Sequence, residues 1–431
     1  MTKENILDRK AAPIIVDATD FNLKLKPYEK FALDNGVDVY AINAGAQDVL
    51  QVEMVFYAGT FFEKSKAVAG ATNFLLKNGT VSRTAFQLNE TFDYYGSSCS
   101  RACYSETATI SLHTLTKHVE KLLPLVNDML TNSIFLQEEL DTFKQNSKQR
   151  LKVNLQKADF IAGRTIDKLV YGDAHPYGTY NQAEDYDVLT VEQLKTFYND
   201  HYVNGKCVIF VAGKLPNNLK EVLNENFGKL ILTAPNFELQ KITTTPATEK
   251  KHVIINDENA VQGAIRISQP FPNRHHPDFK KVMVLNTIFG GFFGSRLMSN
   301  IREEKGYTYG IHSYIQNHIQ ESAWLISTEA GKDVCQATIA EVYKEMQILR
   351  GELIDDEELN LVKNYMIGSI LGDLDGPFQI IGKWKNIVLN NLDEQYFNES
   401  VEAVKSVTAA ELQVLAKKYL VPENFYELVV Y

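Results

Sequence analysis

Cysteine is scarce in this chain: Cys99, Cys103, Cys207 and Cys335 are the only four in 431 residues, and no two form a C-x-x-C pair. That excludes a disulfide-built scaffold and a thiolate metal knuckle. Were Cys99 and Cys103 on one strand, a rise of ~3.3 Å per residue would hold them about 13 Å apart, too far for a bridge. All four read as small buried hydrophobes. Long apolar runs are also lacking. No stretch approaches 18 uncharged apolar residues, and the N-terminal MTKENILDRKAAPIIVDATD has no apolar signal core, so the expectation is a soluble, cytoplasmic protein. An excess of basic residues is missing as well. With 44 Lys and Arg against 54 Asp and Glu, the formal charge is −10, which argues against general nucleic-acid affinity.

The usual catalytic signatures are absent too. Nine histidines are present, His113, His118, His175, His201, His252, His275, His276, His312 and His318. No two lie at i and i+4, so neither H-E-x-x-H nor H-x-x-E-H occurs. There is no G-x-S-x-G, no G-x-x-x-x-G-K-[ST] and no G-x-G-x-x-G opening a helix. Residue chemistry alone names no catalyst.

What is present is ordinary globular material: 45% apolar, 23% charged and 11% aromatic residues. At roughly 100 to 200 residues per domain, the length implies two to four domains. Period-2 alternation predicts strands at 37–42, 50–57 and 105–115, the second with Val52, Met54 and Phe56 on one face. Helical patterns cover 66–77, 83–96, 117–130, one long run from Gln137 to about Leu169, and 190–202 behind a Thr190 cap. A strand follows at 206–212. The Pro- and Thr-rich PNFELQKITTTPATEKK reads as an extended linker.

Beyond that linker the order repeats. Glu138-Glu139-Leu140 with Lys144 matches Glu357-Glu358-Leu359 with Lys363 at an offset of 219 positions, and Thr190 with Leu194 matches Thr408 with Leu412 at 218. Looser pairs, Gln51 with Gln262 and Gly96 with Gly306, fall at 211 and 210. The fold class is therefore α+β: two duplicated, sandwich-like domains, 1–235 and 236–431, facing one another across a cleft that would hold the function.

Within the second half, FGGFFGSRLMSNIREEKGYTYG (289–310) combines glycines, an amphipathic helix and a strand. Leu297 and Ile301 occupy its buried face, with Arg296, Asn300, Glu303 and Glu304 solvated. Arg302 at the helix end suits the macrodipole there. Together with Tyr309 it also offers two hydrogen-bond donors for a substrate carbonyl or a developing oxyanion.

This segment resembles the second-domain motif of the pitrilysin-like, or insulinase, metallopeptidases, whose members include mitochondrial processing peptidase. His175-Pro176-Tyr177-Gly178 resembles another landmark of that family, and the duplicated halves extend the resemblance over nearly the whole chain, closest to its short bacterial members. The resemblance implies an inverted zinc motif on the first long helix, yet Asn73 and Lys77 stand at the histidine positions and Leu76 at the catalytic glutamate. No Glu occurs between Glu139 and Glu184, so the further ligand is missing near Gln149. Leucine cannot activate water and an ammonium repels Zn2+. The resemblance thus implies a chain without metal or cofactor of its own. Arg302 and Tyr309 would serve a zinc site on a separate H-x-x-E-H-bearing partner acting on peptides, as in the alpha subunit of the processing peptidase. The alternative is a catalytically inactive structural or peptide-binding homologue.

Overall fold

The computed structural model describes residues 18–235 and 239–431. Most of the N-terminal stretch read for a signal segment, and positions 236–238 of the expected linker, lie outside the described residues.

Two sheets carry the molecule. The first contains β1 (Glu29–Ala32), β2 (Asp38–Asn43), β3 (Val49–Phe56), β4 (Ser98–Cys103), β5 (Ala108–Leu115) and β6 (Cys207–Gly213), in the order β1-β2-β6-β3-β5-β4. The second contains β7 (Lys251–Ile254), β8 (Gln262–Phe271), β9 (Thr308–Asn317), β10 (Ser322–Gly331) and β11 (Tyr426–Val430), in the order β7-β11-β8-β10-β9. Leaving aside β1, the two orders are identical strand for strand. In each sheet one pair is parallel, β2 with β6 and β7 with β11, and the remaining ladders are antiparallel.

Local chemistry repeats with the topology. Thr190 caps Val191–Tyr198 by accepting from the Gln193 N–H at 3.2 Å, and Thr408 caps Ala409–Tyr419 by accepting from the Glu411 N–H at 3.3 Å. Each forms a reciprocal capping box, which satisfies two of the helix's orphan donors. Lys144 Nζ donates to the Asp187 carbonyl and Lys363 Nζ to the Lys405 carbonyl, the same bond in both halves.

One expectation needs correction. The pattern from Gln137 to Leu169 is two helices, Gln137–Asn154 and Ala158–Tyr171, separated where Lys157 turns extended. The break lets the second helix leave its own half. Ile166, Leu169 and Val170 pack with Ala264 of β8, Leu325 of β10 and Leu428 and Val430 of β11. The repeat returns the favour: helix Pro377–Leu389 lies on β2 and β6 of the first sheet. There Trp384 donates to the Lys26 carbonyl at 2.8 Å and meets Tyr28 edge-on at 4.6 Å.

Each crossing is fastened by an ion pair of opposite sense. Lys385 on the crossing helix binds Glu53 of β3 at 2.8 Å, and Asp159 on the other binds Arg266 of β8. The buried Ile380, Ile381, Trp384 and Ile387 are worth roughly 1.5–3 kcal/mol each. That sum rivals the net stability of an ordinary domain, so the halves are mutually dependent.

Candidate functional site

The FGGFFG segment is the end of a wide helical turn, Thr287–Gly291, followed by a bend at 292–295, rather than a phosphate cradle. Gly290 packs so closely on β9 that a Cβ there would lie 2.6 Å from the Ser313 side chain and 2.9 Å from Leu297. The helical turn Met298–Glu304 then ends at Gly306, whose φ of 66° is one glycine adopts freely. The Tyr307 N–H closes back on the Ile301 carbonyl at 3.0 Å, so the left-handed glycine ends the wide helical turn with its carbonyl satisfied. Leu297 and Ile301 are buried as expected.

Arg296 and Asn300 are not the solvated residues the helix pattern suggests. Arg296 makes a two-pronged pair with Glu358 at 2.6 and 2.8 Å, and Asn300 donates to Glu345 and Glu341. Helix Asp356–Gly372 and the preceding helix supply carboxylates on that side, which no pattern within one segment reveals. Glu303 and Glu304 are exposed.

This stop brings Arg302 and Tyr309 together. The guanidinium carbon lies 5.4 Å from the Tyr309 ring centroid and 4.6 Å from that of Phe293, within cation–π range. Tyr309 is 92% exposed and Phe293 61%. Among the described residues, Arg302, itself half-buried, has no ion pair and no side-chain hydrogen bond, so its five donors are left without a protein acceptor. Nothing in the sequence marks Phe293 as a member of this group, because among glycines and other phenylalanines it carries no signal of its own.

The part of the first half where the family resemblance places a metal is built differently. Asn73 is buried, and its Nδ2 donates to the Tyr202 hydroxyl at 3.1 Å and more distantly to the Thr109 carbonyl. Leu76 is fully buried. Lys77 is half-buried, with Nζ 3.4 Å from the Cys99 carbonyl, and desolvation pulls its pKa below the usual lysine range. Gln149 is exposed on helix Gln137–Asn154. An amide already bonded, an apolar side chain and a cation do not fit a zinc ion, which needs several lone-pair donors and a carboxylate to activate water.

His175-Pro176-Tyr177-Gly178 turns out to fasten the halves. The Tyr177 hydroxyl donates to Glu106 Oε1 at 2.5 Å, and the same oxygen accepts from the Ile319 N–H at 2.9 Å. His318 stacks on Tyr177 with ring centroids 3.8 Å apart and planes 11° apart. Burial pushes the Asp167 carboxyl nearby up to about 6 and His318 down to about 4. A cleft of about 550 Å³ opens beside this joint, lined by Glu63, Asp167, Tyr177, Tyr180 and His318 among others.

A family model described as insulinase, peptidase family M16, matches residues 39–171, and one described as the peptidase M16 inactive domain matches 189–366. The chain belongs to the insulinase family. An uncharacterized zinc protease of Bacillus subtilis, YmxG, is 23% identical over 358 residues, 80% of this chain and 84% of its own length. Another uncharacterized zinc protease, from Rickettsia felis, is 24% identical over 79% of this chain and 82% of its own.

Among solved structures, a peptidase M16 inactive domain from Pseudomonas fluorescens superposes with TM-score 0.83 at 22% identity, covering 94% of this chain and 98% of that one. The periplasmic protease PqqL of Escherichia coli superposes with TM-score 0.76 at 16% identity, covering all of this chain and 49% of its own. These likenesses are of fold. They agree with the paired sheets and with insulinase-family membership. No described helix is long and apolar enough to cross a membrane.

Proposed function

We propose that this chain is the zinc-less subunit of a heterodimeric insulinase-type metallopeptidase. It lends Arg302 and Tyr309 to peptide substrate at a zinc site carried by a homologous H-x-x-E-H-bearing partner. The observation that carries the reading is the asymmetry between half-sites: Arg302 and the exposed Tyr309 are juxtaposed, with no ion pair or side-chain hydrogen bond to either among the described residues, while Asn73, Leu76 and Lys77 are unfit for metal. The guanidinium and the phenol would hold a substrate carbonyl and share the negative charge that develops on it. PqqL supports a paired assembly, since this chain's fold spans about half of that protein.

We divide the chain at 235/236, between the last strand of one sheet and the first of the other. We also place the protein in the cytoplasm, on its four unbridged cysteines, three of them buried.

The test is to purify the chain alone and together with an H-x-x-E-H homologue, then measure bound zinc and peptide hydrolysis. The expected result is no zinc and no cleavage from this chain alone, and cleavage from the pair. Arg302→Ala and Tyr309→Phe should each lower the pair's turnover by about 10²-fold at unchanged zinc content. Stoichiometric zinc or robust cleavage from the single chain would sink the proposal, and turnover indifferent to both substitutions would favour an inactive, scaffold-like subunit.

A further inference from the structure

Where the first helix of the first half ends, two cations meet without a carboxylate. Helix Val68–Leu75 presents its last carbonyls toward β4. Lys77 Nζ reaches the Cys99 carbonyl and stands 4.9 Å from the Phe92 ring centroid. Arg101 follows Cys99 by two positions and so shares its face of the strand. Its Nη1 donates to the Phe74 carbonyl at 2.6 Å, and its guanidinium lies 5.5 Å from the Phe74 ring. Both cations act on the Cys99 thiol, opposing the burial that lifts it to about 11.

Among the described residues, neither Lys77 nor Arg101 forms an ion pair. The buried Nε of Arg101 has no acceptor. Asp93 acts on Lys77 only through space.

Helix capping is too small a task for this pair. The carbonyl end of a helix carries about half a negative charge, and Arg101 alone already satisfies the Phe74 carbonyl. Lys77 is held beside another cation and partly out of water, and both conditions disfavour its charge. Two cations thus face half a helix-end charge and an Asp93 that reaches Lys77 only through space; the positive charge is incompletely matched, and an anion would complete it.

The surroundings select the kind of anion. Phe74 is 46% exposed and lies 5.3 Å from Phe143 of helix Gln137–Asn154. Apolar rings beside the cations suit an anion attached to a peptide. Helix carbonyls, rather than the N–H groups that favour phosphate, would repel a dianion more than a carboxylate.

We propose that Lys77 and Arg101 form a subsite for a peptide carboxylate, at the place where the family resemblance puts a metal. The guanidinium offers planar recognition and the ammonium a point charge. The subsite stands independently of the roles given to Arg302 and Tyr309.

Fluorescence anisotropy on the full chain alone tests it, with an N-terminally labelled Ala/Phe hexapeptide as free acid, as C-terminal amide, and as an amide containing one internal Asp. The free acid should bind about 10-fold more tightly than the plain amide. Lys77→Met should abolish that difference, Lys77→Arg should preserve it, and Arg302→Ala should leave it untouched. Circular dichroism and a thermal melt establish that each variant is folded. If the Asp peptide matches the free acid, the subsite takes side-chain carboxylates; if it matches the plain amide, the ligand is the chain terminus. Equal binding of acid and amide, or a difference that survives Lys77→Met, overturns the proposal.

Discussion

The edge strands of the two sheets, β4 and β9, are entered in the same way and end up presenting opposite surfaces. A left-handed glycine, Gly96 at φ 59° or Gly306 at φ 66°, stops the preceding helix, and the third residue beyond it lies on the strand. In the first half that residue is Cys99, 5% exposed beneath Lys77. In the second it is Tyr309, 92% exposed beside an unpaired guanidinium. The duplicated backbone thus offers two equivalent platforms. Side chains alone decide that one is tied into the interior and the other held out toward solvent. Substitutions at the first platform should cost stability, and those at the second should not.

The largest effect is expected from Leu76→Glu, which restores the carboxylate that the family resemblance calls for. Leu76 is fully buried among apolar neighbours. An unpaired carboxylate there should cost roughly 3 kcal/mol or more. The urea midpoint of the purified variant reads this directly. A midpoint equal to wild type would mean that the site is open enough to ionise, and the contrast between the platforms would collapse.

Asn73→Ala comes next. It removes the amide that donates to the Tyr202 hydroxyl, an aromatic residue 1% exposed and packed on Phe56. A buried hydroxyl left without its partner costs about 1–3 kcal/mol. The same urea experiment should place this variant between Leu76→Glu and wild type. A stability gain would show Asn73 to be strained by its position rather than serving it.

Much of this arrangement was legible in the sequence. The repeat could be located from Lys144 and Lys363 because both halves keep one capping and tethering chemistry, and the structure shows both lysines making the same bond. The reciprocal helix exchange was not legible. Periodicity marks which face of Ala158–Tyr171 is apolar but carries no information on which sheet covers it. A strand through Cys99 and Cys103 is only a conditional reading of the sequence, because SCSRAC has no run of β-branched or aromatic residues and is only partly buried, and the position of Arg101 is lost with it. Arg296 and Asn300 looked solvated because their carboxylate partners lie 41 to 62 residues away in sequence. Pairings at that separation leave no mark on local pattern.

The smallest expected effect is the most discriminating. Tyr309→Ala removes a side chain that is almost wholly exposed and whose ring has the Arg302 guanidinium 5.4 Å from its centroid. An exposed cation–π contact of this kind is worth about 0.5–1 kcal/mol at most, and surface substitutions usually fall within about 0.5 kcal/mol. The urea midpoint should therefore match wild type within error, and Tyr309→Phe, which keeps the ring and drops the hydroxyl, should be indistinguishable from both. A tyrosine held out at this exposure without contributing to folding has its ring and hydroxyl available to something outside the chain. If either variant were instead destabilised by 1 kcal/mol or more, Tyr309 would be a packing residue like Cys99, and the two platforms would differ in shape alone.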